Sequence, residues 1–238
     1  MKKILVSDFD GTLYINGKIT KKDKEVILDF QKENIFIIAS GRTKLSLLRD
    51  IDTVKPDYII TNHGAVIYKN NDIILNKTMN KDIKNKCFQI ARKYVSDKDI
   101  FVSSEKENFD GSITLKNIKD INKIRVYFKT ENKREDFINE INNELKGKIK
   151  HYKVISFGKL AVEIIETNIN KSDAIKFIAN KENITKKNIF TIGDNNNDLD
   201  MIKNYKGYAI KTAKSIIKEN AKEEVNNIYA LIKLLDKE

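Results

Sequence analysis

Five short, nearly continuous apolar runs mark the chain: KILVS at 3–7, IFIIA at 35–39, DYII at 57–60, IFTI at 189–192 and GYAI at 207–210. None alternates apolar with polar residues, so each predicts a strand buried on both faces. Between the first two lies ITKKDKEVILDFQKEN, where Val26, Ile27 and Phe30 recur at helical spacing. Thr20 followed by Asp23 has the pattern of a capping box at its start. Strand, helix and strand in succession predict a parallel sheet with crossover helices. The chain's end repeats the pattern, with a helix in NKSDAIKFIANKEN before the strand at 189. Two further helices are expected after it, in TAKSIIKENA and VNNIYALIKLL.

The middle reads differently. AVIYKNNDIIL predicts a hairpin turning at Asn70 and Asn71. A helix over 79–96, a strand near Ile100–Val102, and strands in SITLKN and KIRVYFKT follow. A polar helix at about 131–146 then precedes strands in KHYKVISFG and LAVEIIE. A helix followed by two strands, twice over, is an α+β unit. The expected organisation is therefore an α/β core at 1–78 and 161–238, with a Rossmann-like parallel sheet, and an inserted α+β domain at 79–160.

Composition narrows the classes. At 238 residues, with 40% apolar and 33% charged positions, the chain can bury a sizeable core. No apolar run is long enough to span a bilayer, and no membrane partner is expected. The basic start MKKILVSDFD stops being apolar at Ser7, too early for an export signal. Cys87 is the single cysteine, which suits a reducing cytoplasm. The net charge of +11 raises nucleic acid as a partner. Its lysines, however, are dispersed beside Asn, Ile and Glu with no aromatic-interleaved block, the pattern of a solvated surface; no nucleic-acid partner is expected.

Against that basic background, GDNNND at 193–198 concentrates acid at the end of a strand. Asp194, Asn196 and Asp198 match the first ligands of an EF-hand loop. Leu199 and Tyr205 stand where that loop needs glycine and glutamate, so the calcium reading fails. A solvated Asx turn is the plain alternative. Ligands of open parallel sheets bind beyond the carboxyl ends of the strands. There, DFDGT follows the first run, SGRT the second and GDNNND the fourth. Asp8, Asp10 and Asp194 could thus converge on one cation, and an all-oxygen site suits Mg2+. Lys171, in NINKSDAI, falls in the first turn of a helix, where the dipole disfavours a cation. Alone it reads as a surface lysine; with free helix amides beside it, it reads as an anion site.

DFDGT, SGR, an inserted domain, an isolated lysine and GDNNND, in that order, resemble the haloacid dehalogenase-like hydrolases. The likeness is greatest to Cof-like phosphatases with a type IIB cap. It runs the whole chain, since NHGAVIY resembles the family's Asn-Gly-Ala element and YAIKTAKSIIKENA its final segment. The resemblance implies a magnesium-dependent phosphatase of a small phosphate ester, such as a sugar phosphate or phosphorylated cofactor. It implies Asp8 as nucleophile forming an aspartyl-phosphate, and Asp10 as the acid and then base. The metal falls to Asp8, the Asp10 carbonyl and Asp194. Ser40, Gly41, Lys171, Asn197 and the Phe9 amide would cradle the phosphoryl group, with Asp198 supporting Lys171 or a metal-bound water. Arg42 would touch substrate phosphate or pair with a carboxylate. For Asp10 to carry a proton, burial beneath the cap is expected to raise its pKa. The extra His63 within the Asn-Gly-Ala element reads as structural, and Cys87 as core.

Dehalogenases lack the second aspartate, so phosphatase or phosphomutase remains. The short insert also resembles phosphomannomutase and the sucrose- and trehalose-phosphate phosphatases. A non-catalytic phosphate-ester binder is the reading from another class.

Overall fold

The expected apolar runs form strands. In the computed structural model they are β1 (Ile4–Asp8), β2 (Ile35–Ala39) and β3 (Tyr58–Thr61), every residue of which is buried. Between β1 and β2, helix α1 (Lys21–Phe30) starts where Thr20 Oγ1 accepts the Asp23 amide at 3.1 Å. The short helix α2 (Lys44–Leu48) follows β2. β4 (Val66–Lys69) and β5 (Asp72–Asn76) make the hairpin, with Asn70 in the left-handed region at φ 56°. The described residues are 2–51, 53–110, 120–156 and 158–237. They form two compact units, Met1–Leu75 with Asn170–Glu238, and Asn76–Ile169.

The second unit contains α3 (Lys81–Tyr94), β6 (Ile100–Ser103), β7 (Asn108–Asp110), β8 (Lys123–Phe128), α4 (Glu131–Glu144), β9 (Ile149–Ser156) and β10 (Lys159–Glu166). Its strands form one antiparallel sheet in the order β7-β6-β8-β10-β9. β10, which the expected boundary at 160 divides, lies wholly within this unit. The strand expected in SITLKN lies outside the described residues. Ile124, Val126, Val162 and Ile164 pack with α3 and α4, and Cys87 is buried among them. On the next positions of the same strands, the buried Glu163 carboxylate accepts from Lys123 Nζ at 2.6 Å and from Arg125 Nε at 2.9 Å.

The first unit resumes with α5 (Lys171–Lys181), β11 (Ile189–Gly193), α6 (Leu199–Asn204), β12 (Lys206–Ile210), α7 (Ser215–Lys218), β13 (Glu223–Val225) and α8 (Ile228–Leu235). Its eight strands run in the order β13-β12-β11-β1-β2-β3-β4-β5, parallel from β13 to β3. β4 turns antiparallel, as a hairpin requires. The helix expected over TAKSIIKENA shrinks to the single turn α7, of which only Ile217 is buried. With one apolar anchor, a longer helix has no face to pack. β13 is too short and too acidic for its sequence to signal a strand; the exposed edge of β12 recruits it. α8 packs on α1 and is tied there by its Tyr229 amide, which donates to Asp23 Oδ1 at 2.8 Å. Each buried Ile, Leu or Val contributes roughly 1.5–3 kcal/mol, and β1 and β2 hold six such residues with no polar face to water. That rigidity fixes the level at which their carboxyl ends emerge.

Candidate active site

The sheet register decides which side chains meet. Ser7 pairs with Ile192 of β11 on one side, and Asp8 pairs with Ala39 of β2 on the other. Asp8 therefore emerges level with the start of the loops carrying Asp194 and Ser40. Helix α5 begins with Lys171 and is capped by Asn170, whose side chain accepts the Asp173 amide at 2.8 Å.

Lys171 is fully buried. Its Nζ donates to Asp8 Oδ1 at 2.5 Å and to Asp198 Oδ1 at 2.6 Å, bridging 163 and 27 residues of sequence. Burial alone would drive this ammonium to lose its proton. The Asp198 and Asp8 carboxylates outweigh that and hold its pKa above the ordinary lysine value. Asp198 has its other oxygen tied down, accepting the Asp194 and Asn195 amides at 3.1 and 3.0 Å. This ties the acidic loop to the lysine. Asp194 accepts from Thr12 Oγ1 at 2.9 Å, joining the loop to DFDGT.

Two glycines permit the approach. Gly11 adopts φ +86°, and a Cβ there would stand 2.7 Å from Asp194 Oδ2. Gly64 adopts φ +109°, and its Cβ would stand 2.1 Å from the Asn170 carbonyl oxygen, at the entry to α5.

The charge balance invites a cation. Carboxylate oxygens of Asp8, Asp194 and Asp198 lie within 4.8 Å of one another, and they face one ammonium. Burial, then the Asp198 charge, pushes the Asp8 pKa well above the ordinary carboxylate range even with Lys171 adjacent. Asp194 is raised for the same two reasons. A hard divalent cation among oxygen donors is the chemistry that would keep such a cluster ionised, so the residues fit magnesium.

The remaining candidates stand as follows. Ser40 is buried at the end of β2, and its Oγ accepts the Arg42 amide at 3.1 Å. Gly41 lies under the His63 ring, whose nearest atom would be 2.5 Å from a Cβ at that position. Asn197 sits half-buried on the turn Asn196–Asp198. The Phe9 ring is buried and stacks on Tyr14 at 5.1 Å. Asp10 is exposed, against the expectation of burial, because it lies past the strand in a turn where Arg42 reaches it. Arg42 also reaches Asp50. His63 is buried at φ 60°, with its amide donating to the Ser40 carbonyl at 3.1 Å.

Sequence reasoning did not assign Thr12, Asp50 or Tyr14. The hydroxyl of Thr12 stood inside the quoted DFDGT and could have been weighed. Nothing local marks Asp50, which lies beyond α2 in a polar stretch.

The family model described as haloacid dehalogenase-like hydrolase matches residues 5–229. A protein of Mycoplasma capricolum subsp. capricolum, whose name assigns no activity, is 32% identical over 240 residues, covering 84% of this chain and 87% of that one. The Bacillus subtilis 5-amino-6-(5-phospho-D-ribitylamino)uracil phosphatase YcsE is 25% identical over 92% of this chain and 88% of its own. A solved haloacid dehalogenase-like hydrolase from Bacteroides thetaiotaomicron matches with a TM-score of 0.83, over 99% of this chain and 100% of that one. Its 18% identity speaks for the fold alone.

Proposed function

This chain belongs to the haloacid dehalogenase-like hydrolases, as a phosphatase of the Cof-like kind, and we propose that it hydrolyses a small phosphorylated metabolite with magnesium through an aspartyl-phosphate on Asp8. The observation that carries this reading is the buried Lys171 ammonium held between Asp8 and Asp198 at the carboxyl edge of a parallel sheet. A lysine sequestered there neutralises part of the charge that a phosphate dianion would meet on approaching a carboxylate.

Asp8 attacks phosphorus, and the bond from phosphorus to the ester oxygen breaks as the new one forms. Asp10 must first exchange one of its two Arg42 bonds for a proton, which it then gives to the departing oxygen. It then takes a proton from water, which attacks the phosphorylated Asp8 and releases inorganic phosphate. Lys171, Ser40, Asn197 and the backbone at Phe9 and Gly41 hold the equatorial oxygens. Asp8, Asp194 and the Asp10 carbonyl would hold magnesium, which when bound offsets the negative charge shared by phosphate and carboxylates. Asp198 keeps Lys171 aimed at Asp8. The inserted unit serves as a type IIB cap that selects the substrate. The 25% identity to YcsE supports testing phosphorylated ribityl compounds beside sugar phosphates as substrates.

The test is phosphate release from p-nitrophenyl phosphate and a panel of sugar and ribityl phosphates, with and without magnesium. Release by the wild type that requires magnesium and vanishes in a folded Asp8→Asn supports the reading. Near-wild-type turnover by Asp8→Asn sinks it.

A further inference from the structure

We propose that Arg42 is a positioning residue for Asp10, and that Asp50, which no motif marks, is the counter-charge that holds Arg42 in that role. The inference rests on the phosphatase reading and assigns two residues within it.

The guanidinium has little left to offer a substrate. Its Nε donates to Asp10 Oδ2 at 2.8 Å and its Nη2 to Asp10 Oδ1 at 2.6 Å, a bidentate pair. Its Nη1 donates to Asp50 Oδ2 at 2.5 Å and to the Ser46 carbonyl at 3.3 Å. One face lies over the stacked rings of Phe9 and Tyr14, 5.1 and 5.7 Å from their centroids. The backbone is held as well, because the Arg42 amide donates to Ser40 Oγ and its carbonyl accepts the Asn62 amide at 2.9 Å. The side chain is thus fixed at both ends, with Asp10 on one side and Asp50 on the other.

Stability is a weak account of this arrangement. The Asp10 and Asp50 side chains are 50% and 34% accessible and that of Arg42 is 24%; a single ion pair this open to water contributes roughly 0–1 kcal/mol, and a bidentate one somewhat more. What a bidentate fork supplies at such a site is direction: it fixes the plane of the Asp10 carboxylate. The ionised carboxylate is the form that takes a proton from water, and that step gains from a fixed plane, since general acid–base groups are worth about 10²–10⁴ in rate when placed correctly. Lysine cannot reproduce the fork.

The experiment measures kcat, KM and inhibition by inorganic phosphate for wild type, Arg42→Ala, Arg42→Lys, Asp50→Asn and Asp50→Glu, each confirmed folded by circular dichroism. Positioning predicts kcat lower by roughly 10–100-fold in both Arg42 variants, with KM and the phosphate inhibition constant within about twofold of wild type. Asp50→Asn should lower kcat by roughly 3–10-fold, also without moving KM, and Asp50→Glu should recover most of the loss. Added guanidinium should raise kcat of Arg42→Ala but not of Arg42→Ala combined with Asp10→Asn. A raised KM and weakened phosphate inhibition with kcat preserved would overturn the inference and make Arg42 a phosphate ligand, leaving the phosphatase reading intact. An unchanged kcat in Asp50→Asn would overturn the role of Asp50. A wild type that releases no phosphate across the panel refutes the phosphatase reading and this inference with it.

Discussion

Replacing Asp198 by asparagine tests whether charge or hydrogen bonding holds the acidic loop. Electrostatics alone gives no clear winner. Asp198 lies 2.6 Å from one ammonium, and carboxylate oxygens of both Asp8 and Asp194 lie within 4.8 Å of its own. One close attraction and two longer repulsions nearly offset, since Coulomb energy falls only as the inverse of distance. Hydrogen bonding therefore decides. One oxygen serves the Lys171 ammonium and the other serves the Asp194 and Asn195 amides, so each of these hydrogen-bond partners is a donor. Asparagine keeps one oxygen and turns an NH2 group toward the other set. At least one buried donor set is then unsatisfied, at about 1–3 kcal/mol per donor. We expect Asp198→Asn to cost roughly 2–4 kcal/mol and to lower the melting temperature by roughly 5–15 °C in this size range. Thermal unfolding followed by circular dichroism in chelator, so that metal binding adds nothing, gives the number. A melting temperature equal to or above wild type would refute the reasoning, because relief of carboxylate repulsion would then outweigh the lost acceptor. Turnover in magnesium should fall at least ~10²-fold as Lys171 loses its second anchor, the scale set by removing one stabilising donor.

Two other outcomes follow from burial and backbone. Gly64→Ala would drive a Cβ to 2.1 Å from the Asn170 carbonyl, at a φ that alanine avoids; we expect several kcal/mol of destabilisation, of which about 1–3 kcal/mol is backbone strain. Turnover should fall too, because the displaced turn carries Lys171; a fully active, stable variant would show that the α5 entry is plastic. Cys87 is buried in helix α3 of the second unit, and burial followed by the nearby Glu166 charge pushes its thiol up to about 12. At pH 8 it should resist a thiolate-directed reagent while the protein is folded and react once per chain in denaturant; rapid labelling of the native protein would contradict its place in the core.

What the sequence determined by itself was local. Runs such as IFIIA predicted strands buried on both faces, because they are short and offer no polar stripe to water. Thr20 and Asp23 announced the start of α1 through a bond between neighbours. DFDGT, SGRT and GDNNND could be placed at strand ends because each follows an apolar run, and the carboxyl edge of a parallel sheet is where such loops collect. The tertiary structure decided which of those groups touch. Register alone sets Asp8 beside the loops of β2 and β11, and only packing brings Lys171 between Asp8 and Asp198. The same holds for Arg42 between Asp10 and Asp50, for Glu163 with Lys123 and Arg125 inside the second unit, and for β13 on the edge of β12. In each case the partner lies far along the chain or carries no periodic signal. Periodicity and turn chemistry act over a few residues, whereas a buried charge finds its counter-charge only where the folded backbone carries both.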